Sequence, residues 1–337
     1  MQSSESDIRS ALDEIAKAFA IESPTTFTLA GRAFTIPGDP NHEETHKRLI
    51  ALLKEQLYQQ CYCRRFTGII EDVPMARQDD NFSRELSMAN LGRSRWSEGW
   101  AVAAVEANGK IVAHLNGAMR TFWPGEYLVP DLPATSPRVG AAVRMHVVTE
   151  SFSMQPGYYF SFGESLEDRR DGVDVVRFYW AVEATEAPTL IRALTERFNR
   201  FAVPFRFKCP THPARFARLD AAVLYVNCKF YQIAAELASE LYGRVRQGMR
   251  SMSPLFTKQL APGLGFAEDP GNAESFGMHR CGITAEGLWE AHTRNVSGES
   301  RLASMEECFA RHGLSLDHPY LNPGSIDQYE FPEPPGI

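Results

Sequence analysis

No apolar run in these 337 residues is long enough to cross a bilayer, so no membrane span is expected. There is no surplus of positive charge either. Lys and Arg number 35 against 42 Asp and Glu, a net charge of -7. Binding of nucleic acid by bulk electrostatics is thereby excluded, and any anion site must be a local concentration of cations. Cysteine is sparse, six residues in all, too few for a disulfide framework in so long a chain. Cys61 and Cys63 stand two apart, which is not C-x-x-C, and no zinc-type Cys/His spacing is apparent. Free thiols in a reducing cytoplasm, with no metal, are the expectation. The opening MQSSESDIRS has no basic stretch leading into an apolar one, so it does not read as a secretory signal. Gly263 and Gly265 lack the strand–GxGxxG–helix setting of a nucleotide fingerprint. No GxSxG nucleophile elbow occurs. No internal repeat or low-complexity tract is found, and no cofactor is implied.

What is present is ordinary globular composition, 44% hydrophobic and 23% charged. Apolar residues at helical spacing (Ile8, Leu12, Ile15, Phe19) predict a helix over residues 5–20. A second is predicted over 43–60 from Leu49, Ile50, Leu53 and Leu57, with Glu43 and Glu44 suiting its N-terminus. Residues 67–97 read as a polar, irregular loop. From Gly99 onward strands dominate. GWAVAAVE, Asn108-Gly109 and KIVAHL form a hairpin signal. Aromatic and β-branched stretches follow at 141–148, 157–163 and 173–182. Helices are predicted over 187–199 and 231–250, and a loop-rich region from Ser253, with His279 and Arg280 in a Gly-flanked loop. This order predicts an α+β fold: a largely antiparallel twisted sheet with packed helices and an N-terminal helical region. The expected divisions are a helical region 1–66, the loop 67–97, an α+β domain 98–315 and an extended tail 316–337.

The strand period places cations in pairs with other polar groups. Arg144 shares a face with His146 in AAVRMHVV, Arg177 with Tyr179 in VVRFYWAV, and Arg206 with Lys208 in PFRFKCP. Arg218 follows the turn at Pro210 and Pro213. If these faces coincide, they make a cationic floor inside an acidic protein, and otherwise they are separate solvated faces. Unpaired clustered charge is costly without an anion to meet it, and arginine suits bidentate phosphate recognition. Like charges around Lys208 would disfavour its protonated form, so that it could act as a base. A histidine on the same floor, His146 or His279, could protonate a leaving oxygen. Base, acid and clamp are the parts needed to eliminate phosphate from phosphoserine or phosphothreonine.

A series of blocks carries a resemblance. VRFYWAV, LTERFN, VPFRFKCPTHPARFARLDAAVLYV, PLFTKQLAPGLGFAEDP and ESFGMHRCGITAEGLWEA, together spanning 173–291, resemble the HopA-type family of plant-pathogen type III effectors. Relatives of that family stand in biosynthetic clusters for thioamitides and class V lanthipeptides. The resemblance implies a lyase of ribosomal-peptide biosynthesis. Its partner would be a separate aminoglycoside-phosphotransferase-like kinase that phosphorylates Ser or Thr of a precursor peptide. The lyase would leave dehydroalanine or dehydrobutyrine. A weaker likeness, to the phosphothreonine lyases of enteric effectors, suggests the order His146 (acid), Lys208 (base), Arg218 and Arg280 (phosphate). Arg144, Arg177 and Arg206 are further phosphate candidates, Tyr179 a substrate contact, and His279 the competing acid. The alternative is a non-catalytic scaffold or effector that binds a phosphorylated or anionic partner.

Overall fold

Alternation in four separated stretches of sequence is resolved by their becoming neighbours in one sheet. The computed structural model describes residues 3–72, 76, 78–130, 137–166, 174–271, 274–296, 298 and 300–333. Val173 and the last four residues of the expected tail lie outside them. A seven-stranded antiparallel sheet is built from β9 (Glu150–Ser151), β10 (Tyr158–Phe162), β11 (Val175–Trp180), β12 (Arg206–Pro210), β13 (Ala222–Asn227), β14 (Lys258–Ala261) and β15 (Leu264–Glu268). Its order is β14-β15-β11-β13-β12-β10-β9. The helices α4 (Ala187–Arg200) and α5 (Tyr231–Val245) cover one face. There Phe178 of β11 stacks on Tyr231 of α5 at 5.9 Å, and Phe198 of α4 meets Phe205 at 5.4 Å. Side chains such as Phe178, Phe198 and Phe207 are wholly buried, each contributing about 1.5–3 kcal/mol. The molecule is therefore α+β, with its main core between this sheet and its helices.

A second sheet, ordered β6-β5-β4-β8-β7, comprises β4 (Arg95–Val105), β5 (Ile111–Leu115), β6 (Ala118–Phe122), β7 (Tyr127–Leu128) and β8 (Ala142–Val147). It has its own small core around Trp100, Phe122, Val143 and Met145. A bulge in β4 falls at Gly99, whose φ of 83° only glycine adopts without strain.

The N-terminal region mixes types. Helix α1 (Ser3–Ala18) buries Leu12, Ile15 and Ala16. It leads into a three-stranded sheet of β1 (Phe19–Ser23), β2 (Thr26–Leu29) and β3 (Arg32–Thr35). Phe19 thus ends up in a strand, not in the helix expected to 20. Helix α2 (Glu43–Leu57) runs on into a π-helical turn, Tyr58–Tyr62, closed by Cys63 N–H donating to the Tyr58 carbonyl at 2.9 Å.

Three helices correct the sequence reading. The segment 67–97 is not irregular throughout: Asp79 accepts from Phe82 N–H at 2.9 Å and caps α3 (Asp80–Ala89). The stretch read as a loop around His279 and Arg280 is the first two turns of α6 (Phe276–Thr293). Helix α7 (Ser300–Arg311) follows and packs on α6 where Gly287 leaves space. A Cβ at Gly287 would stand 2.6 Å from the Met305 Cα. The C-terminal segment carries no helix or strand among the described residues after Arg311, but it is held down. Tyr320, Leu321 and Tyr329 are buried, and Tyr329 donates to Glu268 at 2.6 Å.

Candidate functional site

Register determines which side chains meet on the face of the seven-stranded sheet away from α4 and α5. One row across the strands reads Phe162, Arg206, Tyr225, Arg177, Ala267. The next reads Phe160, Lys208, Val223, Tyr179, Gly265. Arg177, Arg206 and Lys208 therefore do share one face, two strands apart, with Tyr225 between the arginines. The Arg206 guanidinium lies 4.5 Å from the Tyr225 ring centre and that of Arg177 5.3 Å from it. Lys208 Nζ lies 5.1 Å from the ring centre of Tyr158, with Arg215 at 4.6 Å on the same ring. Two aromatic rings thus hold four cations by their π faces.

The cations differ in what else they hold. Arg177 is buried and its Nε donates to Asp269 at 2.8 Å. Arg218 makes a bidentate pair with Asp220, both bonds 2.8 Å, and also donates to the Tyr58 hydroxyl at 2.9 Å. Tyr58 in turn donates to Asp220 at 2.9 Å. Burial alone would push the Asp220 carboxyl up. The Arg218 charge and hydrogen bonds, the Tyr58 hydroxyl and the Lys208 charge outweigh it and hold it below the usual carboxylate range. Arg206 and Lys208 are half-buried, and among the described residues neither has a carboxylate partner. The Arg206 Nε is buried with no hydrogen-bond acceptor. Arg215 donates to the Gly157 carbonyl, at 2.9 Å, and has no carboxylate partner among the described residues. Five cations, Arg177, Arg206, Lys208, Arg215 and Arg218, face two carboxylates, Asp220 and Asp269, an excess of three positive charges. An anion with several oxygens is the kind of group that such an arrangement could accept.

The Tyr179 end of this face is closed. Its ring meets Tyr62 of the π turn edge-on at 6.4 Å and Phe276 of α6 at 6.3 Å. Tyr179 is 2% exposed, and burial pushes its phenol up to about 12. Tyr62 and Phe276 cover it on this same face, so it is not available as a substrate contact.

Two expected partners sit elsewhere. Arg144 and His146 belong to β8 in the five-stranded sheet, where both lean on Trp96, at 5.0 and 5.2 Å. The three cation-bearing strands therefore do not form one floor. Arg280 is wholly buried. It donates to the Pro319 and Leu321 carbonyls, each at 2.7 Å, and lies 2.6 Å from His279 Nδ1. It staples the C-terminal segment to α6 and has no face left for phosphate. His279 is held down to about 4 by burial and by the Arg280 charge, so near neutrality it has no imidazolium proton to give. Arg218 is likewise occupied by Asp220.

Sequence reasoning missed Arg215, Tyr158, Tyr225 and the Asp220–Tyr58 pair. A strand period places Tyr225 opposite to Leu224, but only strand order sets it between the two arginines.

A family model, that of the HopA1 effector protein family, matches residues 149–321, just over half of the chain. Among solved structures, the effector protein from Pseudomonas syringae pv. tomato strain DC3000 aligns with a TM-score of 0.50 at 18% identity. That alignment covers 94% of this chain and 98% of the other. The effector protein from Pseudomonas syringae pv. syringae strain 61 aligns at 13% identity and a TM-score of 0.41, over 82% and 96% of the two chains. No curated protein matches. The matched region contains the Lys208 face and α6, and leaves out β4 to β8.

Proposed function

This chain belongs to the HopA1 effector protein family, and from that premise we propose that it is a phosphoserine/phosphothreonine lyase acting on a peptide phosphorylated by a separate kinase. The observation that carries the reading is the pair Arg206 and Lys208. They lie side by side on one strand face, without a carboxylate, next to Arg215. Phosphate would be held by Arg206 and Arg215. Lys208, once it has released its own proton to solvent, takes the proton from Cα. That electron pair forms the Cα=Cβ double bond, and the Cβ–O bond breaks. Phosphate departs with the bonding electrons, and the arginines absorb its charge. The peptide keeps dehydroalanine or dehydrobutyrine, and Lys208 keeps the proton. Phosphate leaves as a stabilised anion, so the step does not require His146 or His279. The family resemblance supplies the rest of the proposal, an aminoglycoside-phosphotransferase-like kinase as partner and a ribosomal precursor peptide as substrate, and the unpaired cysteines suggest the cytoplasm as the setting. No helix among the described residues is long and apolar enough to cross a membrane.

A second reading is a protein that binds the phosphopeptide without chemistry. Its supporting observation is that Arg206 and Arg215 are held on the rings of Tyr225 and Tyr158, which serves phosphate binding whether or not Lys208 takes a proton. One experiment separates the two. A threonine peptide phosphorylated by the kinase is incubated with the protein and followed by mass spectrometry. The lyase reading expects loss of phosphoric acid with the parent protein and persistence of the phosphopeptide with Lys208→Ala, whose fold is checked by circular dichroism. Binding without mass loss leaves the second reading. A Lys208→Ala variant as fast as the parent removes Lys208 as the base.

A further inference from the structure

The helix pair α6 and α7 carries a cluster that the lyase reading does not use. Cys308 and His312 stand four residues apart across the C-terminal turn of α7, so both project to one side. That side faces Glu286 of α6, next to Gly287, where α7 packs close against the α6 backbone. The Cys308 Sγ lies 3.7 Å from Glu286 Oε2, and His312 Nε2 lies 3.0 Å from the same oxygen. All three ligand atoms fall within 4.8 Å of one another. Around a four-coordinate zinc ion with bonds of about 2.0–2.3 Å, ligand atoms stand roughly 3.3–3.7 Å apart. Two of the three separations, 3.7 and 3.0 Å, are near those values, and the third is no more than 4.8 Å.

We propose that Glu286, Cys308 and His312 bind a zinc-type divalent cation, with one coordination position open. The donor set decides the class. A thiolate with an imidazole and one carboxylate suits zinc or cobalt, whereas magnesium and calcium take oxygen ligands. Three protein ligands leave a fourth position for water or a substrate atom. The ligands Glu286 and His312 also line a cavity of about 250 Å³, shared with Lys47, Lys54, Glu274 and His279. The nearby cations do not forbid a metal there, because Arg311 is bonded to Glu290 and Lys54 to Glu274. A plain ion pair between His312 and Glu286 would explain less. Both side chains are more than 40% exposed, at 42% and 44%, and exposed pairs contribute little. Such a pair also gives no reason for a cysteine directed at the same oxygen.

The test uses the full chain and cobalt(II) as probe. Titration is expected to give a thiolate-to-cobalt band in the near ultraviolet and visible bands of a four-coordinate ion, saturating at one equivalent. Zinc(II) should displace both sets of bands. Cys308→Ser and His312→Gln should abolish the thiolate band, and Cys228→Ser, at a half-exposed cysteine outside the cluster, should leave it unchanged. Should Cys308→Ser fail to fold, Glu286→Gln decides. Partners that merely orient a metal ligand already cost roughly 10–100-fold in affinity when lost, so removing a ligand should weaken cobalt binding by at least that. A parent protein without the thiolate band overturns the proposal. So does a band that survives Cys308→Ser, or a Glu286→Gln variant that binds cobalt as tightly as the parent. Because the readout is metal spectroscopy, the result is independent of whether the chain is a lyase.

Discussion

Arg206 and Arg218 stand only twelve residues apart in the sequence, and they should fail in opposite ways when each is changed to methionine. Arg218 is 17% exposed and its partner Asp220 8%. Arg218→Met removes both bonds of the bidentate pair and leaves a buried carboxylate without its paired cation, although the Tyr58 hydroxyl still donates to it. Breaking one side of a buried pair costs about 3–5 kcal/mol. Arg206 has no acid to strand. Arg206→Met loses a stacking contact on Tyr225 and relieves repulsion with Lys208, so stability should change by less than about 1 kcal/mol. Binding should reverse the order. A charged hydrogen bond to phosphate contributes about 1.5–3 kcal/mol, which is roughly 10–150-fold in Kd. Urea denaturation gives the first quantity, and fluorescence anisotropy with a labelled phosphothreonine peptide and its unphosphorylated twin gives the second. The expected pattern is a stable Arg206→Met that has lost its preference for the phosphopeptide, and an unstable Arg218→Met that keeps that preference while folded. If Arg218→Met leaves stability untouched and abolishes phosphopeptide binding, the Asp220 pair is not the anchor described here, and Arg218 returns to the clamp.

Arg280→Met should lower stability by about 2–6 kcal/mol in urea, since two buried carbonyls, of Pro319 and Leu321, lose their donor; phosphopeptide affinity of the folded fraction should not change. His279, held to about 4 in the folded chain against an ordinary 6.5, is protonated in the unfolded chain first. Its contribution is therefore full above about pH 6.5 and is lost as pH falls towards about 4, by an amount on the order of 1–2 kcal/mol for a partly exposed ring. The urea midpoint of the parent should fall more between neutrality and about pH 5 than that of His279→Gln. The proposed kinase, co-expressed with this protein, should elute with it in size-exclusion chromatography, and separate elution at micromolar concentration with peptide present would end the idea of a stable complex.

The legible part of this fold lies where the sequence has a period. RFKCP and VRFYW alternate, so the sharing of a face by Arg206 with Lys208, and by Arg177 with Tyr179, follows from two-residue geometry alone. Strand order does not follow. The Asp269 that neutralises Arg177 is 92 residues away; its place before Pro270 suits ordering a loop or pairing with an arginine, but nothing local in FAEDP says which arginine. Helix α6 was illegible for a different reason. It is buried on most of its circumference, from Phe276 and Arg280 to Leu288 and Ala291, so it shows no apolar stripe. Gly277, Gly282 and Gly287 lie inside it and read as breakers. In α3 the polar run at Asp79, Asp80 and Asn81 reads as loop, although Asp79 is the cap that starts a helix. The placement of Arg144 and His146 in a separate sheet was likewise beyond reach, because a strand's period says which side chains agree and not which sheet receives them.

The π turn at Tyr58–Tyr62 amounts to one residue inserted into a helix. Its two tyrosines are thereby assigned to different structures. Tyr58 reaches the Asp220–Arg218 pair, and Tyr62 lies under Gly277 and beside Tyr179. Deleting one residue here would restore the regular winding and rotate everything after it by about 100° about the helix axis, so that no choice of side chains could satisfy both ends at once. The length of this segment is therefore a property as binding as its composition. In related chains, gaps and insertions should fall before α2 or after Cys63, and the spacing between the two tyrosine positions should stay at four.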